Sequence, residues 1–294
     1  MSKYKKVVHK LSAILAGEPP NQIKAPSPLK VGPSGGRSKL APETVIIFTT
    51  FERPEVAIRS FESLTNALKP VRDRVRLVVC DSSRLADKTV KFRELGADDV
   101  IWVPTFACAG TQRNLAVTLV QDKYSAEFIC FLEDDFEYTE SWYPRLVSTC
   151  RQYFGVMSPL GVAYGLFSAS THPLEPERTA MDEEAGLLAY CFGGIADQRF
   201  MPMAHYLQVM RTWDADLLGV SYCQTGMQTA RNLMRGFCGG IIKENLCSEI
   251  PIAESTWRGK RDVGPLAHDL DPSKFQIIAT RCREAGVFEI QEKK

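Results

Sequence analysis

From Thr44 onward the chain alternates short, continuous apolar runs with stretches in which apolar residues recur every three or four positions. The runs Val45 to Phe48, Val75 to Cys80 and Val100 to Val103 have the length and β-branched content of buried strands. Between them lie helical patterns. Pro54 stands at the first turn of a helix whose apolar face is Val56, Ala57, Phe61, Leu64 and Leu68. Ala86 to Leu95 forms a second helix closed by Gly96, and Thr111 to Gln121 a third. The fourth strand, from Phe128 to Leu132, runs directly into Glu133, Asp134 and Asp135 before the aromatic Phe136. Strands that read as unbroken apolar runs belong to a sheet covered on both faces, so this half predicts a parallel α/β sheet. Right-handed crossovers bring the strand ends to one edge, where residues 49–53, 81–83, 107–113 and 133–135 share a crevice.

The pattern is less regular after residue 138. Ser141 to Phe154 reads as a helix, and Gly161 to Phe167 and Leu187 to Phe192 as strands around a polar loop from Ser168 to Gly186. A helix-like Phe275 to Ala285 lies in the tail. The organisation expected is an arm over 1–42, a ligand-binding half over 43–138, an α+β half of the same domain over 139–272, and a tail over 273–294.

Composition changes this picture mainly at the N-terminus. The first 42 residues carry a net charge of +7, which leaves −6 for the rest of a chain whose total is +1. The balance gives no general argument for nucleic acid or membrane binding. Tyr4 to Ala16 has helical apolar spacing with lysines opposite, and Gly17 to Pro42, with six prolines and four glycines, reads as a linker. Such an arm is either a docking element for an acidic partner or anionic surface, or a solvated leader. The nine cysteines include no CxxC pair, and Cys80, Cys130 and Cys191 lie in apolar runs, so reduced core thiols are expected. With no stretch of membrane-spanning length and no signal-peptide core, the expected location is cytoplasmic.

The chemistry concentrates at the sheet edge. Three adjacent carboxylates repel one another and resist desolvation, so Glu133, Asp134 and Asp135 are most easily explained around a cation. All-oxygen ligands point to Mg²⁺ or Mn²⁺, which at such an edge carries a phosphate-bearing ligand. The alternative is a solvated acidic turn. Asp81, Ser82, Ser83 and the Thr49 to Glu52 turn, with Phe51, offer acceptors and an aromatic edge for a base and ribose, while Arg113 offers a fork for phosphate or carboxylate. Neither GxGxxG nor GxxxxGK[ST] occurs, so phosphate charge falls to metal and side chains.

Taken together these segments resemble the nucleotide-binding half of the GT-A glycosyltransferases, most closely the family 2 type. The residues that carry the resemblance are Thr49-Thr50-Phe51-Glu52-Arg53, Asp81-Ser82-Ser83, the Gly110 to Arg113-Asn114 segment, and Glu133-Asp134-Asp135 in place of the Asp-x-Asp class motif. The resemblance implies a Rossmann-like, mostly parallel sheet and a divalent metal bridging the diphosphate of a UDP-, GDP- or dTDP-sugar. Asp135 is then the favoured ligand, with Glu133 or Asp134 behind it. In the second half, Gly193-Gly194 and Thr212-Trp213-Asp214-Ala215-Asp216-Leu217 resemble the acceptor side of family 2 enzymes, with Trp213 replacing the usual Glu. This implies Asp214 as the catalytic base of an inverting transfer, with Glu249, Glu254 and Asp262 as rivals. His268 is similar to the late histidine that completes the metal shell in some GT-A enzymes.

Three readings follow: a metal-dependent glycosyltransferase, a sugar-phosphate nucleotidylyltransferase, and a nucleotide-sugar-binding protein without transfer. The missing glycine-rich opening loop counts against the second. The acceptor is open among a glycan, a lipid-linked sugar, a protein, a small metabolite and a modified nucleobase.

Overall fold

The computed structural model describes residues 40–83, 85–103, 109–169, 179–190, 198–210, 228–229, 232–233 and 235–251. Asp214, Glu254, Asp262 and His268, together with residues 1–39 of the N-terminal arm and the tail, lie outside them.

The N-terminal half is built as its periodicity dictates. β1 (Thr44–Thr50), β2 (Val75–Asp81), β3 (Asp99–Trp102) and β4 (Phe128–Leu132) alternate with α1 (Pro54–Leu68), α2 (Ala86–Glu94) and α3 (Ala109–Lys123). β1 lies between β2 and β4, and β3 lies outside β2, all in parallel. Successive residues of β1 point to opposite faces. Ile46 and Phe48 join Phe61 and Leu64 of α1 and Phe92 of α2 in one core, whereas Val45 and Ile47 join Ala116, Val117 and Val120 of α3 in the other. Phe48, Phe61 and Phe92 meet edge to face at ring separations of 5.1 to 5.9 Å. The sheet is therefore covered on both sides, as continuous apolar strands require.

The second half extends the same sheet with mixed pairing. After the short β5 (Phe136–Tyr138) come α4 (Trp142–Tyr153), β6 (Ala163–Ser168), β7 (Thr179–Asp182), β8 (Leu187–Tyr190), β9 (Arg199–Pro202), β10 (Phe237–Ile242) and β11 (Cys247–Glu249). The nine-stranded order is β3-β2-β1-β4-β9-β6-β10-β8-β7. β9 runs antiparallel to β4 and β6, β10 is parallel to β6 and antiparallel to β8, and β7 closes the edge. This is the α/β sheet with an α+β second half that the sequence predicts. β7 corrects the reading of Ser168 to Gly186 as a loop throughout, because Thr179–Asp182 pairs with β8.

Cys80, Cys130, Cys150, Cys238 and Cys247 are reduced thiols, and burial pushes the first of these up to about 12 and holds Cys130 and Cys150 above the ordinary thiol range. Among the described residues no helix is long and apolar enough to cross a membrane.

Candidate functional site

The parallel strands end where the sequence places the crevice, and the local backbone explains why side chains converge there. Glu52 and Arg53, at φ of 50° and 45°, are the two non-glycine residues with positive φ among those described. A left-handed conformation disfavours side chains with a Cβ, and its persistence needs compensating contacts. Arg53 is also the N-cap of α1, with Pro54 at the first helical position. The chain turns sharply out of β1, and the guanidinium swings across to the residues after β4.

There it meets the acidic triplet. Arg53 Nη2 donates to Asp134 Oδ1 at 2.5 Å, and both terminal nitrogens lie 3.5 Å from Asp135 Oδ2. Burial opposes the Arg53 charge, yet the fields of Asp134 and Asp135, the hydrogen bond to Asp134 and the field of Glu133 hold its pKa above the usual value. The cation that three carboxylates demand is thus supplied in part by the protein. The other oxygen of Asp134, Oδ2, accepts from Thr50 Oγ1 at 2.6 Å, so both oxygens face protein donors and the side chain is 5% exposed. Glu133 turns the other way, to Arg113 Nη2 at 2.8 Å.

A second hub lies at the end of β2. Asp81 is fully buried. Its Oδ1 accepts from the Ser83 backbone N–H at 3.0 Å and from Lys88 Nζ at 3.3 Å, and its Oδ2 from Ser83 Oγ at 3.0 Å and Thr89 Oγ1 at 3.3 Å. A carboxylate has about four acceptor positions, and all four face protein donors. Lys88 also donates to Thr50 Oγ1 and to the Glu52 carbonyl, each at 2.7 Å. Gln112 at the start of α3 ties the loops together, donating to Ser82 Oγ at 2.8 Å and accepting from the Thr50 backbone N–H at 3.2 Å.

The predicted site residues therefore come together but do different jobs. Thr49 donates into the β4 backbone at Leu132 O, and Asp81 and Asp134 are braced internally. Phe51, Glu52, Arg53, Glu133 and Asp135 are the half-buried residues of the rim, while Arg113 is buried beneath Glu133. Two further residues stand here that sequence reasoning did not single out. Lys88 lies one residue before Thr89 on a helix whose mostly polar sequence conceals a fully buried lysine. Trp102 ends β3 in register with Asp81, is 43% exposed, and has its indole N–H bonded to Ser83 O at 2.9 Å.

β11 adds a contribution from the second half. It pairs antiparallel with β5, placing exposed Glu249 opposite Phe136, and the Ile250 N–H donates to Asp135 O at 2.7 Å. Of the rival bases, Glu249 is the one that the described structure brings beside the triplet.

The site suits a cation held jointly with a ligand. Among the described residues no group of three or more His, Cys, Asp and Glu is arranged as a metal cage. Mg²⁺-type ions that carry phosphates use only one or two carboxylates, the remaining positions being filled by phosphate oxygens and water. Asp135 has the right chemistry, and its contact with Arg53, at 3.5 Å, is longer than that of Asp134.

No protein-family model matches the chain. Over 121 residues, 40% of the chain, it is 27% identical to the succinoglycan biosynthesis protein ExoM of Rhizobium meliloti (strain 1021), and the match spans 38% of that protein. The structure superimposes on the mannosyltransferase PcManGT from Pyrobaculum calidifontis, solved with GDP-Man and Mn²⁺, with a TM-score of 0.55 and 14% identity over 98% of this chain and 77% of that one. It also superimposes on S. aureus TarS 1-349 in complex with UDP-GlcNAc, with a TM-score of 0.50 and 11% identity over 72% of this chain and 60% of that one. The fold is one that glycosyltransferases use. At these identities the likeness is one of architecture, a large mixed α/β sheet with helices on both faces, and it agrees with the fold that the resemblance to GT-A enzymes implied.

Proposed function

We propose that the protein is a nucleotide-sugar-dependent glycosyltransferase of the GT-A type, similar to family 2, which uses Mn²⁺ or Mg²⁺ and transfers a sugar with inversion to an acceptor hydroxyl. The observation that carries the reading is the convergence of the β1 turn, the β2 end, the start of α3 and the acidic triplet at one edge of a parallel sheet, cross-linked from Asp81 to Asp135. The solved glycosyltransferases of the same fold that hold GDP-Man with Mn²⁺ and UDP-GlcNAc support a nucleotide-sugar as the donor. Their nucleotides leave the choice among UDP-, GDP- and dTDP-sugars to experiment.

In this reading Asp135 holds the ion, with Glu133 as the second carboxylate and His268 completing the shell. The bound ion supplies charge neutralisation for the departing diphosphate. Arg53 and Arg113 flank the same space and add forked donors for phosphate oxygens. Phe51, Glu52 and exposed Trp102 border the nucleoside side. A nucleoside that reaches Asp81 itself must displace one of its four internal donors, so Asp81 shapes the pocket through Ser83.

Proton removal from the acceptor is assigned to Asp214, with Glu249 the rival of known position. Asp214→Asn is expected to abolish transfer while leaving nucleotide affinity unchanged, and Glu249→Gln to retain most of the activity. Loss of turnover in Glu249→Gln, with Asp214→Asn active, would move the base to β11. Asp135→Asn is expected to weaken Mn²⁺-dependent nucleotide binding by at least about tenfold, read by calorimetry. Unchanged affinity, still dependent on metal, would remove Asp135 from the ion.

A further inference from the structure

Lys88 is a buried charged group at the site to which the proposed reaction assigns no role. Its side chain is 1% exposed, and α2 delivers it between the β1 turn and the end of β2. An ammonium has three donors and no acceptor, and here the three meet Thr50 Oγ1, the Glu52 carbonyl and Asp81 Oδ1 at 2.7, 2.7 and 3.3 Å. Each contact has a consequence. The Glu52 carbonyl belongs to the left-handed turn that aims Arg53 at the triplet. Because Lys88 cannot accept, Thr50 Oγ1 must be the acceptor of their hydrogen bond, which leaves the Thr50 hydroxyl hydrogen to point the other way, to Asp134 Oδ2 at 2.6 Å.

A continuous chain of hydrogen bonds thus runs from Asp81 through Lys88, Thr50 and Asp134 to Arg53 and Asp135. Removing Lys88 frees the turn and lets the Thr50 hydroxyl rotate away from Asp134. Burying an ammonium is costly, and a lysine serving only to pack α2 could be an apolar residue of the same length. The three polar contacts at the neck of the crevice give the charge a purpose.

We propose that Lys88 is a positioning residue that sets the direction of the Thr50 hydroxyl and the left-handed Glu52-Arg53 turn, and thereby holds the acidic triplet in the geometry that binds a divalent cation with a nucleoside diphosphate. The proposal rests on the donor-site reading above. It acts through Thr50, and the Thr50 variants isolate the hydrogen bond from the charge.

The test is calorimetric binding of Mn²⁺ with UDP, GDP and dTDP in turn, on the full chain, together with Mn²⁺ alone by electron paramagnetic resonance. Thr50→Val keeps the shape and removes the hydroxyl, and Thr50→Ser keeps the hydroxyl. Thr50→Val is expected to weaken Mn²⁺-nucleotide binding by about tenfold, the lower end of the range for groups bonded directly to metal ligands because Thr50 acts on Asp135 through Asp134 and Arg53, with Thr50→Ser close to wild type. Lys88→Met is expected to show a similar loss, and the double variant Thr50→Val with Lys88→Met no more than the larger single loss, because both break one chain. If Lys88→Met does not fold, the Thr50 pair decides the matter. Wild-type affinity or tighter binding in Thr50→Val, or a double variant whose loss is the product of the single losses, overturns the inference alone. A wild-type protein that binds Mn²⁺ with none of the nucleotides overturns the donor-site reading, and the inference with it.

Discussion

Arg53 shows how a single residue reconciles the acidic triplet with the fold. Its guanidinium lies among carboxylates that would otherwise repel one another, and it is held there by a backbone conformation that non-glycine residues avoid. Removing it leaves Asp134, nearly inaccessible to water, without its closest cation. Breaking a buried ion pair from one side typically costs about 3–5 kcal/mol, and the long Lys88 to Asp134 relation softens that only in part. Arg53→Met is therefore expected to lower stability by about 3 kcal/mol in urea unfolding. Unchanged stability would mean that Arg53 does not balance the charge of Asp134.

The elements fall into those that the sequence displays and those that it conceals. Parallel strands buried on both faces show as apolar runs, so β1 to β4 and the helices between them lie within a few residues of their expected bounds. β9 is hidden because its four residues include Arg199 and Pro202, a composition that does not look like the interior of a sheet, although Arg199 is 1% exposed. β10 is masked by Gly239 and Gly240. Gly239 lies opposite Tyr190 of β8, and a Cβ built there would enter the tyrosine ring, so the glycine is needed for close approach. Gly239→Ala is expected to destabilise the protein by about 1–3 kcal/mol in denaturant unfolding, and a neutral result would contradict that packing.

The site divides in the same way. The loops and carboxylates were legible because strand ends and charges are local features. Their division into braced and rim residues was not, because Lys88, Gln112 and Thr50 act through contacts between residues 30 to 84 positions apart.

His205 carries an element-scale prediction. It ends the helical turn Met203–His205, packs edge-on against Phe154 and Phe237, and shares a 2.8 Å hydrogen bond with Asn232. Burial outweighs the hydrogen bond and lowers its pKa from 6.5 to about 4. Between these values the unfolded chain binds a proton that the folded protein does not, so stability is full above pH 6.5 and falls as pH drops toward 4. The loss is on the order of 3 kcal/mol at the lower end. His205→Gln is expected to flatten this part of the profile of melting temperature against pH. An identical slope in the variant would show that His205 is not the responsible group.

For the whole molecule, the parallel half gathers the charged loops, and the second half closes against them through the antiparallel β9 beside β4 and the β5–β11 ladder. We propose that this shared edge binds a nucleotide-sugar through a divalent cation. The most direct measurement is the thermal stability of the protein with UDP-, GDP-, dTDP-, ADP- and CMP-sugars, each in Mn²⁺, in Mg²⁺ and in chelator. A ligand at a hundredfold excess over its dissociation constant stabilises the folded state by about 2.7 kcal/mol. A rise in melting temperature is expected with one nucleotide class among the UDP, GDP and dTDP donors, abolished by chelator and by Asp135→Asn. No shift with any donor, from protein shown to be folded, or a shift indifferent to chelator, would contradict it.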